Sequence, residues 1–306
     1  MQNSIQKIPY DILFGSAYEA YAKYGNTYLN QTNYSQETTK QSDLLRSILA
    51  SATFLDESCN AMDFHLYGVG EAHSEEILID LFCELYPGRL KNVVLHDISI
   101  DHVKRFKNKL HAKYPQLEVK VITGELFSPE LKFHESPNQT LVTFFGVTLT
   151  NLDEMAMNFK KCIRMTKAQD LLLFDSCKFL NESDLRLKDS TGCTGGDSIW
   201  FLECLRHFTG NFTLTENTIK LRAQIEEFFT CNEIQVRDHK ILDPEVESYR
   251  VRIMGDILGS NQTFELLRYG RFKPEAMEKF LNAEGLQLLG QFENDIGVSF
   301  YNLVKV

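Results

Sequence analysis

The chain has 306 residues, 43% apolar and 24% charged, with a formal net charge of −10, the composition of a globular protein with room for a substantial core. Its Lys and Arg residues are not gathered into a basic footprint, no apolar run reaches the roughly 18 residues of a membrane span, and the polar start Met1 to Lys7 lacks a signal-peptide core, so nucleic-acid and membrane partners are not expected. The seven cysteines are odd in number, irregular in spacing and without a C-x-x-C pair, which predicts free thiols in a reducing cytoplasm and no zinc site.

Ile12 to Tyr28 carries aromatic and small residues at helical spacing. Asn30 to Ser42 is polar and predicts an exposed loop leading into a helix from Asp43 to Phe54. Short apolar strands then alternate with helices. The strands are Phe64 to Tyr67, Asn92 to His96, Leu117 to Thr123, Thr140 to Phe145 and Asp170 to Asp175. The helices are Ser74 to Leu85, with Ser74 as cap, Asp101 to Tyr114, and Asp153 to Thr166. That rhythm predicts a parallel sheet covered on both faces.

The rhythm breaks after Cys177. Phe179 to Thr209 reads as loop and helix, and Ile234 to Ile241, Tyr249 to Met254 and Thr263 to Tyr269 read as strands without intervening helices. A helix returns at Pro274 to Glu284, followed by the pair Leu286 to Phe292 and Val298 to Val304. The expected fold is α/β: a Rossmann-like, mostly parallel seven-stranded sheet closed by a C-terminal antiparallel hairpin, with a smaller α+β substrate domain. The expected division is 58–178 with 270–306 for the sheet, and 1–57 with 179–269 for the second domain.

Open α/β sheets bind ligands at the carboxyl ends of their strands. Gly68-Val69-Gly70 follows the first strand, where glycine lets the backbone approach a ligand and the next helix begins. Asp97 follows the second strand, placed to accept from a ribose diol. Glu125 follows the third after Gly124, placed to read an adenine amine. The neighbouring Ile98, Leu126 and Phe145 complete this cofactor set. His73 stands where a G-x-G-x-x-G fingerprint needs its last glycine, so a nicotinamide cofactor is not indicated. A sheet ending in a terminal hairpin is the topology of class I methyltransferases, which points to S-adenosylmethionine. Leu66 stands two residues before Gly68, where methyltransferases usually carry an acid.

Other features read as structure. His96-Asp97 and Asp101-His102 mark a strand end and a helix start and not a metal site. Gly195-Gly196-Asp197-Ser198 lacks a P-loop lysine and reads as a capped helix start. Cys177 and Cys193 have no partner base in the pattern. Tyr34 is a candidate for the pocket wall or lid.

Phe64 to Lys178, together with Tyr249 to the C-terminus, resembles the histidine-specific N-methyltransferases of ergothioneine biosynthesis. The resemblance lies in His96-Asp97-Ile98-Ser99, Gly124-Glu125-Leu126, Phe144 through Asn151, Thr191-Gly192-Cys193-Thr194, and Gly270 through Glu275. It implies a Rossmann-like domain and a second domain assembled from the N-terminal segment and the insertion. It also implies that Gly146 and Asn151 hold an amino-acid-like acceptor. Leu187 falls where the family has a Tyr, and Leu267 and Tyr269 fall where it has an imidazole-reading Glu and Ser. A pocket lacking those polar partners suits a more apolar acceptor than histidine, because an unpaired buried polar edge costs about 1–3 kcal/mol.

The expected function is therefore methyl transfer from S-adenosylmethionine to a small amine, amino-acid-like or natural-product acceptor, other than free histidine. The alternatives are an inactive methyltransferase-like binding protein and a protein methyltransferase. In-line displacement from a sulfonium requires no general base, and the sequence nominates none.

Overall fold

The computed structural model describes residues 34–51, 54, 60–70, 72–124, 126, 136–146, 149, 155–178, 234–243, 248–259, 262–293 and 299–306. In chain order the first elements are α1 (Tyr34–Leu49), β1 (Met62–Tyr67), α2 (His73–Leu85), β2 (Leu90–Asp97), α3 (Ile100–Lys113) and β3 (Glu118–Thr123). Next come β4 (Gln139–Phe144), α4 (Met155–Met165), β5 (Leu171–Cys177), β6 (Ile234–Asp243), β7 (Ser248–Ile257) and β8 (Gln262–Arg271). The last three are α5 (Pro274–Ala283), β9 (Gln287–Glu293) and β10 (Ser299–Lys305).

The main sheet has seven strands in the order β3-β2-β1-β4-β5-β10-β9. Its first five strands pair in parallel, while β10 runs antiparallel to both β5 and β9. This is the mostly parallel sheet with a terminal hairpin that the sequence pattern predicts. Strand β1 is buried at every position, as a strand covered on both faces must be.

Alternation along the strands sorts side chains into two cores. Phe64, Leu66, Val93, Leu95, Leu173 and Leu303 face the layer built on α1, α2 and α3. Tyr67, Phe144, Leu172, Phe174 and Phe300 face α4 and α5. There Phe159 of α4 stands edge-on to Phe174 at 5.0 Å and to Phe280 at 5.3 Å.

Buried carboxylates tie the amino-terminal strand ends. Asp63 accepts from the backbone N–H and side-chain amide of Asn92 at 3.1 and 2.8 Å, from the Asn138 amide at 3.1 Å and from the Ser136 hydroxyl. Asp170 accepts the backbone N–H groups of Thr140 and Lys167, both at 2.8 Å. Each pairs donors that the sheet ladder leaves over.

Two compact units divide the chain: Met1–Thr32 with Leu180–Leu242 and Tyr249–Tyr269, and Asn33–Phe179 with Asp243–Ser248 and Gly270–Val306. In the first unit β6, β7 and β8 form a three-stranded sheet in chain order; connections this short join antiparallel neighbours. In the second unit the chain's departure and return are clamped, for Phe272 N–H donates to Cys177 O at 2.9 Å beside a Lys178–Phe272 bridge. The expected loop-and-helix stretch Phe179 to Thr209 lies outside the described residues.

The sequence pattern groups 1–57 with the insertion, and the compact sheet unit includes the segment from Asn33. One sequence expectation changes near the start. Helix α1 begins at Tyr34, inside the expected polar loop. Gln, Glu and Lys are good helix formers, and Leu45, Ile48 and Leu49 are fully buried in the first core. Tyr86, the residue that caps the end of α2, donates its hydroxyl to Leu49 O at 2.6 Å, fixing the end of α1. Among the described residues no helix is long and apolar enough to cross a membrane.

Candidate functional site

Strand β1 pairs with β2 on one side and β4 on the other, so the connections from β1 and β4 leave in opposite directions. A crevice at the carboxyl ends of the strands follows from that reversal. The turn after β1 lies at this point. Gly68 and Gly70 adopt φ values of 66° and 48°, and Ala72 follows at 58°. Gly68 and Val69 both donate backbone N–H to His96 O, at 2.9 and 3.3 Å, and Ala72 N–H donates to Val69 O at 2.6 Å.

Asp97, at the end of β2, closes the turn. One carboxylate oxygen accepts Gly70 N–H at 2.9 Å and the other accepts Ser99 N–H at 2.8 Å. Each oxygen keeps acceptor capacity beyond that single bond. Gly124 N–H donates to Asp97 O at 3.3 Å, joining the end of β3 to the same node. Among the described residues, a Cβ on Gly70 would meet nothing closer than Gly68 O at 4.0 Å, and one on Gly124 or Gly146 would meet nothing within 4 Å. Three turns at the ends of β1, β3 and β4 thus leave open space beside backbone.

Val69 and Phe145 are buried in the first core, and Phe145 stands edge-on to Tyr301 at 5.7 Å. Leu126 packs against the second core. Ile98 is half-buried between Asp97 and the Ser99 cap of α3, and Gly146 is exposed with φ 69°. Tyr34 lies in the first turn of α1, and Leu267 and Tyr269 lie on β8. Glu125, Asn151 and Leu187 fall outside the described residues. Gly68, Gly70, Asp97 and Gly124 are therefore brought together, and Gly146 ends a neighbouring strand.

Other polar groups gather here that sequence reasoning passed over. Glu75, in the first turn of α2, is buried. Burial, and then the charges of Asp175 and Asp97, push its carboxyl up to about 8, while its own backbone N–H opposes the rise. Asp175 on β5 is also buried and lies directly opposite Tyr301 of β10. Burial and the Asp175 charge raise the Tyr301 phenol well above its ordinary range. Gln41 of α1 donates to the Tyr301 hydroxyl at 3.0 Å and to the Ser74 hydroxyl at 2.6 Å.

Ser74 is consequently not the cap of α2. Ala72 occupies that position in a left-handed conformation without a side-chain bond, and the Ser74 hydroxyl ties α1 to α2. Leu66 is fully buried in the first core, so the carboxyl groups at this end of the sheet are those of Glu75, Asp97 and Asp175. The available signal was the helical stripe Glu75, Leu78, Ile79, Phe82, in which one acid occupies a core position.

No family model and no curated protein matches the sequence. Solved structures do. The "DhpI-SAM-HEP complex" aligns with TM-score 0.51 at 12% identity, covering 96% of this chain and 98% of that one. An S-adenosylmethionine-dependent methyltransferase from Clostridium acetobutylicum ATCC 824 aligns at 0.48 and 14%, covering 94% and 99%. The 1,6-didemethyltoxoflavin-N1-methyltransferase of Burkholderia thailandensis aligns at 0.48 and 7%, covering 95% and 88%. At these identities the likeness is one of fold: the seven-stranded Rossmann-like architecture.

Proposed function

We propose that this chain is an S-adenosylmethionine-dependent methyltransferase acting on a small amine, amino-acid-like or natural-product acceptor. The observation that carries the reading is the Gly68-Val69-Gly70 turn locked to the Asp97 carboxylate at the switch point of the sheet. The residues suit such a cofactor. Open glycine turns admit a ligand against the backbone, Asp97 retains acceptors for a ribose diol, and three buried carboxyl groups favour a cationic ligand. The presence of S-adenosylmethionine in the DhpI complex agrees with this reading.

When bound, the cofactor supplies an activated methyl group. The work left to the chain is to bind, to orient and to exclude water. The glycine turn and Asp97 would hold the nucleoside, and Glu125 would read its adenine amine. Phe145 and Leu126 would border it. The acceptor candidates are Tyr34, Gly146 and Asn151 of the sheet unit, and Leu187, Leu267 and Tyr269 of the other unit. The ergothioneine-type resemblance supports an amino-acid-like polar end, whereas Leu267 and Tyr269 disfavour free histidine.

Calorimetry with S-adenosylmethionine and S-adenosylhomocysteine tests the reading. A dissociation constant in the low micromolar range, on the order of −8 kcal/mol, is expected. Folded protein that gives neither heat nor thermal shift with either ligand sinks it. An assay with labelled cofactor across amino acids, aromatic amines and peptides then addresses the acceptor, and efficient trimethylation of histidine would overturn the assignment of Leu267 and Tyr269.

A further inference from the structure

Glu75 has a position that packing alone does not account for. It lies on the stripe of α2 that also carries Leu78, Ile79 and Phe82 into the first core. Its side chain is 3% exposed. Among the described residues, the only donor to its carboxyl is its own backbone N–H, and the charged groups acting on it are the carboxylates Asp175 from β5 and Asp97 from β2. A Glu75 carboxylate would also add to the rise of the Tyr301 phenol on β10. Three acids thus converge from α2, β2 and β5 at the turn that begins with Gly68, and no cationic side chain among the described residues answers Glu75. Burying a carboxyl in such company costs stability unless a cation arrives. An anionic ligand group is a poor fit. Asp97 already occupies the Gly70 N–H at the mouth of the helix, and the surrounding charge would repel a second anion.

We propose that Glu75 receives the amino-acid ammonium of the cofactor, in place of the acid that Leu66 does not provide, and that this binding expels one proton. The inference rests on the cofactor reading above and adds a residue and a proton to it. The balance is simple. The carboxyl O–H of Glu75 breaks, its proton passes to solvent, and the carboxylate left behind pairs with the ammonium. Because burial pushes the Glu75 carboxyl up to about 8, the proton is present at neutral pH before the ligand binds.

Three ligands separate the possible sources of positive charge. S-adenosylhomocysteine carries the ammonium without a sulfonium, S-adenosylmethionine carries both, and 5′-methylthioadenosine carries neither. Calorimetry of the full chain in buffers of different ionisation enthalpy counts the protons released. With S-adenosylhomocysteine, close to one proton should leave near pH 7. Affinity should then rise close to tenfold per pH unit below the titration and level off above about pH 8. Methylthioadenosine should release none and show no such rise. In Glu75→Gln, which keeps the side-chain shape, S-adenosylhomocysteine should bind at least tenfold more weakly at pH 8 without proton release. Methylthioadenosine should bind as it does to the parent.

The proton count needs no variant, so a folding defect in Glu75→Gln would not shield the proposal. Binding of S-adenosylhomocysteine with no proton release between pH 6 and 8 overturns it while leaving the cofactor reading intact. Release that persists in Glu75→Gln, or that is equal with methylthioadenosine, overturns the assignment to Glu75 or to the ammonium. Failure of all three ligands to bind the parent removes the cofactor reading itself, and this inference with it.

Discussion

The carboxylate of Asp97 accepts the backbone N–H of Gly70 at 2.9 Å, joining the end of one parallel strand to the turn that leaves its neighbour. Its other oxygen accepts Ser99 N–H at 2.8 Å. The residue assigned to ligand recognition therefore also builds the turn. Asp97→Asn should separate these roles only in part. Its amide NH₂ must face one of the two N–H donors, leaving that donor unpaired at a cost of about 1–3 kcal/mol. A lowered urea midpoint, together with S-adenosylhomocysteine affinity reduced at least tenfold, is the expected result. Unchanged affinity in a destabilised variant would restrict Asp97 to a structural role.

Gly70→Ala should behave differently. The φ of 48° at this position lies in the left-handed region, where a Cβ costs about 1–2 kcal/mol. Among the described residues the nearest atom to an added Cβ is Gly68 O at 4.0 Å, so none of them is displaced. The methyl group would project into the space offered to a ligand. Stability should fall only slightly, as read by denaturant unfolding, while binding falls sharply. A variant with parental affinity would show that the ligand does not approach this turn.

Asp63 supplies the contrast at the opposite end of the sheet. Its carboxylate gathers donors from Asn92, Ser136 and Asn138 and lies at the start of β1, where no ligand is proposed. Asp63→Ala strands several buried donors at once and should cost about 3 kcal/mol of unfolding free energy. Methylthioadenosine and S-adenosylhomocysteine should bind the folded variant as they bind the parent. A selective loss of binding without loss of stability would contradict this placement.

The parts of the site that were legible in the sequence are those whose cause is local. A glycine at a strand end advertises a turn with positive φ, and Gly68 and Gly70 adopt it. An acid directly after a buried strand, as in His96-Asp97, can only face the carboxyl end of the sheet. Glu75 was illegible for the opposite reason. Its importance comes from Asp97 and Asp175, which lie far away in sequence and reach it only through strand order. The same holds for Gln41, which bridges Ser74 and Tyr301 across the fold from a stretch whose polarity reads as loop. Ser74 reads as a helix cap by type and spacing, but the left-handed Ala72 takes that position and frees the hydroxyl for Gln41.

Glu75 also makes a statement about stability that needs no ligand. Its carboxyl is raised by burial from 4.5 to about 8 in the folded chain. Between these values the folded state holds a proton that the unfolded state has released. Unfolding free energy from this group therefore falls as pH rises through that window, by up to about 1.4 kcal/mol per pH unit. Below the window both states are protonated and the group contributes no slope. Glutamine remains neutral throughout, so Glu75→Gln should match the parent near pH 4.5 and exceed it increasingly toward pH 8. Urea unfolding of both proteins at half-unit steps of pH, in the absence of nucleoside, measures the difference directly. Parallel curves across the window would mean that Glu75 is already ionised in the folded chain, and that its carboxylate has a cationic or hydrogen-bonding partner in place before any ligand arrives.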